Sequence, residues 1–82
     1  MISDDVIQII KDIDSSITIN NNDQNLLDYD IIDSLGIFEL TAGIEDKYEI
    51  EIQPEDIIPE NYKNINSIVK LVEKYTKGAK SI

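Results

Sequence analysis

The chain contains no cysteine, no histidine, no tryptophan and no arginine. Without cysteine there is no disulfide and no thiolate nucleophile; without histidine there is no imidazole base, and zinc and haem sites lose their usual donors. Cations are scarce. Seven Lys face 17 Asp and Glu, giving a net charge of −10 and a sequence pI near 4.1. Nucleic acid or an anionic membrane would have to bind against that field, so neither is an expected partner. No apolar run approaches the roughly 18 to 20 residues that span a bilayer. The opening Met1-Ile-Ser-Asp-Asp has an acidic pair where a secretory leader carries cations, which reads as a cytoplasmic protein.

What is present is isoleucine and acid. Eighteen of the 82 residues are Ile, enough with the other apolar side chains for one small core, so a single domain over 1–82 is expected. The charge is uneven: residues 28–60 hold 11 acids and one Lys, whereas residues 62–82 hold five Lys and one Glu. The acidic block is either a solvated face or a docking surface for basic partners.

Val6, Ile9, Ile10, Ile13 and Ile17 repeat at helical spacing, with Ser3 as a possible N-cap, which predicts a first helix over about 4–15. An aperiodic stretch over 15–30, containing Asn20-Asn21-Asn22-Asp23, is long for a loop in a small domain; Leu26, Leu27, Ile31 and Ile32 are its expected anchors. A second helix is expected from Ser34 to about Tyr48, capped by Asp33 or Ser34. Its Ile37, Leu40, Thr41, Ile44 and Tyr48 fall on one stripe, and Leu35, Phe38 and Ala42 fall roughly opposite, beside Glu39, Glu45, Asp46 and Glu49. Gly43 in its middle costs about 1 kcal/mol of helix propensity for no reason visible in the sequence. Tyr48 to Ile52 alternates like a strand but lacks a partner, so it reads as an extended connection. Pro54 and Pro59 bracket one short helical turn, and Asn64 is placed to cap a last helix bearing Ile65, Ile68, Val69, Val72 and Tyr75, stopped at Gly78. The expected fold is all-α, three main helices plus one short one in a four-helix bundle, with the core over about 4–76 and a flexible tail over 77–82.

The stretch Asp28-Tyr-Asp-Ile-Ile-Asp33-Ser34-Leu35-Gly36 is a loop ending at a helix N-terminus with Ser as its last polar residue. Free N–H groups and the helix dipole favour an anion there, so Ser34 could either serve as a cap or carry a phosphate ester. Nothing in the sequence supplies Ser34 with a base or a Gly-x-Ser-x-Gly elbow, so any reaction at its hydroxyl would need activation by another protein. Asp28, Asp30 and Glu39 fall at positions 1, 3 and 12 of an EF-hand loop, but Ile32 and Asp33 stand where an oxygen ligand and Gly are required, so no metal site is expected.

Asp33-Ser34-Leu35, followed by Phe38-Glu39-Leu40 and by Ile44-Glu45-Asp46-Lys47-Tyr48, resembles the carrier-protein family of acyl, peptidyl and D-alanyl carriers. Length, acidity, helix order and the Asn64 to Tyr75 closing helix extend the likeness over about residues 4–76. Two positions differ: Asp30 stands where the family usually has Gly, and Ala42 is smaller than is common in fatty-acid carriers. Gly36 after the motif is more like the aminoacyl and secondary-metabolite branches. The resemblance implies a non-enzymatic monomer with an acyl-carrier-like fold and 4'-phosphopantetheine on Ser34, Asp33 being part of the motif. The arm's thiol would hold an acyl or aminoacyl thioester. The implied partners are a phosphopantetheinyl transferase using coenzyme A and Mg²⁺, a loading ligase (adenylating enzyme) or acyltransferase, and a downstream synthase or transferase. They would dock on Leu35, Phe38, Glu39, Ala42, Glu45, Asp46 and Glu49. The competing reading is an unmodified acidic adaptor that docks partners through Leu35 and Phe38.

Overall fold

The computed structural model describes residues 2–27 and 34–80, in three α-helices: α1 (Ile2–Ile13), α2 (Ser34–Tyr48) and α3 (Ile65–Lys80). Two single 3₁₀ turns, Pro54–Asp56 and Pro59–Asn61, lie between α2 and α3. The all-α expectation holds, but the fourth helix does not form. Ile58, the residue before Pro59, is held extended at φ −126° and ψ 151°, which ends the turn begun at Pro54, so each proline starts its own 3₁₀ turn instead. No strand forms among the described residues, so Tyr48 to Ile52 is the extended connection its missing partner implied.

Helix α1 starts two residues earlier than expected, which places Ser3 inside it rather than at its cap. Asp4 and Asp5 occupy its first turn, where the dipole favours anions. It buries Val6 and Ile10 completely, while Ile13 at its end is 36% exposed. Asp14 then closes the chain into a turn: its Oδ1 accepts from the Ser16 N–H and hydroxyl, and both bonds hold the Asp14 carboxyl below the usual carboxylate range.

Helix α3 begins as its sequence dictates. Asn64 Oδ1 accepts the Ser67 N–H at 2.7 Å, the standard N-cap bond to the third helical residue. Ile65, Ile68, Leu71 and Val72 form its buried face. The helix does not stop at Gly78 but continues to Lys80.

The long connection after α1 is tied to the start of α3. Leu26 N–H donates to the Lys63 carbonyl at 2.6 Å, Asn66 N–H donates to the Asn22 carbonyl at 3.1 Å, and the Leu26 side chain is fully buried. Leu27 is half-buried; the other two expected anchors, Ile31 and Ile32, lie outside the described residues.

Helix α1 packs against both α2 and α3. Its approach to α2 explains Gly43: a Cβ placed there would lie 2.7 Å from Ile9 Cγ2, closer than two carbons can come. Glycine is thus a packing requirement that outweighs its poor helix propensity.

Candidate functional site

Helix α2 carries a face for the core and a face for solvent. On the inner side Leu40 and Ile44 are fully buried, Thr41 is 4% exposed and Ile37 is 8% exposed. On the outer side Leu35 and Phe38 are 64% and 62% exposed. Ala42, Glu39, Asp46 and Glu49 are also exposed. The orientation inferred from 100° periodicity is therefore the orientation found.

Glu45 departs from the expected rim. Its Oε2 accepts the Ile52 N–H at 2.9 Å, and its own carbonyl accepts the Ile50 N–H, so this residue holds the turn that follows α2. Its side chain is half-buried and part of the fold. A change at Glu45 consequently alters stability as well as surface charge, and Glu39, Asp46 and Glu49 form the rim that is free of that duty.

The bond from Ile50 N–H to the Glu45 carbonyl spans five residues and closes α2 in a Schellman motif, with Glu49 in the left-handed position at φ 54°. Glycine is the usual residue there, since it has no Cβ to clash. Glu49 is the one non-glycine residue with positive φ among those described.

Ser34 is the first residue of α2. No acidic residue occupies that helix's first turn, so the helix itself places no negative charge at its positive dipole end. Leu35, the next residue, is largely exposed. A phosphodiester fits such a position. Asp33, the motif's other residue, and Asp28 and Asp30 of the considered calcium loop lie outside the described residues. Among the described residues no cluster of acidic side chains could hold a metal ion.

Tyrosine hydroxyls fix the elements around α2. Tyr48 OH donates to Asp5 Oδ2 at 2.6 Å, joining the end of α2 to the start of α1. Burial, then that bond, pushes the Tyr48 phenol up to about 12, while the same bond lowers the Asp5 carboxyl. Tyr62, fully buried after the second 3₁₀ turn, meets Thr41 Oγ1 at 2.6 Å. The Thr41 hydroxyl is 2.7 Å from the Ile37 carbonyl, which can only accept. Threonine has one hydroxyl proton, so Thr41 donates to Ile37 and Tyr62 donates to Thr41. Burial raises the Tyr62 phenol.

Tyr75 of α3 donates to Asp56 Oδ2, and its oxygen accepts the Gln53 N–H at 3.1 Å. Lys74 Nζ lies 2.8 Å from the same carboxylate oxygen. Lys74 and then Tyr75 hold the Asp56 carboxyl below its ordinary range. Sequence reasoning did not single out Tyr62 or Asp56. Both lie between α2 and α3, where no periodicity marks which side chains turn inward.

Three helices around an isoleucine-rich core, with Ser34 opening α2 beside an exposed apolar pair, define a small all-α domain of the carrier-protein type. Residues 4–72 match the family model for the phosphopantetheine attachment site, and the chain belongs to that family. Its members are non-catalytic carriers with covalently attached 4'-phosphopantetheine. No curated protein matches the chain, and no solved structure does. No described helix is long and apolar enough to cross a membrane.

Proposed function

We propose that the chain is a monomeric carrier of the cytoplasm that holds an acyl or aminoacyl group as a thioester on a phosphopantetheine arm joined to Ser34. The observation that carries this reading is the placement of Ser34 as the first residue of α2, a helix with no acidic residue in its first turn and with Leu35 largely exposed beside it. In the loading step the Ser34 hydroxyl oxygen forms a phosphodiester with the phosphopantetheinyl phosphate of coenzyme A. The bond to 3',5'-ADP breaks, and the hydroxyl proton passes to a base of the transferase, since this chain has no histidine to take it.

Leu35 and Phe38, rimmed by Glu39, Asp46 and Glu49, suit a partner groove of apolar and basic side chains. In such an interface charge guides encounter and a few buried side chains hold the complex. The transferase, the loading ligase or acyltransferase and the downstream enzyme would use this face in turn. An unmodified adaptor shares the face and differs only at Ser34.

Incubation with coenzyme A, Mg²⁺ and a broad-specificity transferase, followed by intact mass, tests the reading. One added phosphopantetheinyl group that disappears in Ser34→Ala is expected. No gain in mass would leave the adaptor standing, and labelling that moves to Ser15, Ser16 or Ser67 would refute the assignment of Ser34.

A further inference from the structure

The buried Tyr62 and Thr41 hydroxyls have no part in docking or loading, yet Thr41 belongs to the helix that begins at Ser34 and Tyr62 packs on its inner face. Thr41 is two turns from Ser34, about 10 Å along α2 at 1.5 Å per residue. We propose that this hydroxyl pair closes the bundle interior to cargo, so that the carried group is a short or polar acyl group, such as an aminoacyl group, kept in solvent. This rests on Ser34 being the attachment point.

A long alkyl thioester has a strong drive to leave water, because every methylene left exposed adds to its cost. It would need an interior that yields. The side chains it would have to part, Leu40, Ile44, Tyr62, Ile65 and Ile68, all have zero exposure. Moving an aliphatic side chain trades one apolar contact for another. Moving Tyr62 also takes its hydroxyl from Thr41 and sets methylenes against both oxygens. The chain from Tyr62 through Thr41 to the Ile37 carbonyl is complete, and no buried side-chain polar atom among the described residues lacks a partner. Breaking a complete buried network leaves donors and acceptors unpaired in a medium that cannot answer them.

The open groove of about 220 Å³ beside α3 is no better for an alkyl chain. The charged Asp56, Glu60, Lys70 and Lys74 line it together with Leu71, so a chain laid there would meet ionic groups. A short or polar cargo avoids the difficulty, since water serves it as well as the interior would.

The test compares acetyl and octanoyl forms of the full chain, each made with the matching acyl-coenzyme A and a broad-specificity transferase and checked by mass. Thermal midpoint is read on both, together with hydroxylamine cleavage of the thioester normalised to the same thioester on free pantetheine. Coincident midpoints and normalised cleavage rates within about twofold are expected. Octanoyl cleavage slowed about tenfold, with a raised midpoint, would overturn the proposal. In Thr41→Val/Tyr62→Leu, which makes the interior apolar and smaller in content, octanoyl should gain that protection. If the folded variant leaves octanoyl as exposed as before, the pair is not the barrier and the proposal fails. Should the variant not fold, the wild-type comparison decides alone. Failure to load at all refutes the attachment reading instead, and mass reveals this before any rate is measured.

Discussion

Gly43 and Glu49 oppose the propensities of their own helix, each for a different reason. At Gly43, alanine would gain about 1 kcal/mol in helix propensity but would force its methyl onto Ile9 Cγ2. That methyl is fixed on a branched Cβ and cannot swing aside, and overpacking of this kind costs roughly 1 to 3 kcal/mol. Gly43→Ala should therefore lower the thermal midpoint. In an Ile9→Leu background, where Cβ carries no branch, the same change should raise it. A rise in the wild-type background would mean that α1 and α2 do not approach so closely. Glu49 carries two burdens, a left-handed backbone and a negative charge at a helix C-terminus. Glycine removes both and adds freedom only to the unfolded chain. Glu49→Gly should stabilise by about 0.5 to 1 kcal/mol in chemical denaturation, and a loss would show that its carboxylate has a stabilising partner.

At the scale of the element, α2 divides into positions that hold the fold and positions that face outward. Ile44→Ala removes a fully buried side chain and should cost roughly 2 to 5 kcal/mol, enough to unfold much of a domain this small. Leu35→Ala and Phe38→Ala should leave the denaturation midpoint within about 1 kcal/mol of wild type while slowing transferase loading. A large loss of stability in either would mean that the apolar pair is structural. This division was legible in the sequence because a 15-residue helix samples its periodicity four times over, so Ile37, Leu40, Thr41 and Ile44 separate cleanly from Leu35 and Phe38. The segment between α2 and α3 offers no such repeat. Its turns follow from Pro54 and Pro59, but whether Tyr62 points inward depends on Thr41, 21 residues away. Gly43 likewise depends on Ile9 across the bundle, and Glu45 on a backbone donor seven residues on. Periodicity reports the face of a residue, whereas these roles are set by what the face meets.

Across the whole molecule, an aliphatic core supplies cohesion without direction, and phenol hydroxyls supply part of the direction. Tyr48 joins α2 to α1, Tyr62 joins the second 3₁₀ turn to α2, and Tyr75 joins α3 to the first 3₁₀ turn. All three phenols titrate above their ordinary value of 10.0, Tyr48 at about 12. A raised folded value means that the unfolded chain loses its phenol protons first. The contribution of these groups is then complete below pH 10 and is lost between pH 10 and about 12. Thermal midpoints should fall across that window, and Tyr48→Phe should start lower and fall less steeply. Equal slopes for the two proteins would remove Tyr48 from the account. The acid limb has the opposite sign: Asp5, Asp14 and Asp56 are lowered from 3.8, so their contribution holds above that value and fades as pH falls below it. There is also an optical consequence. With no tryptophan in the chain, its ultraviolet emission comes from tyrosine alone. Phenols hydrogen-bonded to carboxylates, as Tyr48 and Tyr75 are, emit weakly. Unfolding frees them, so the protein should brighten as it melts and report the parting of its helices without a label.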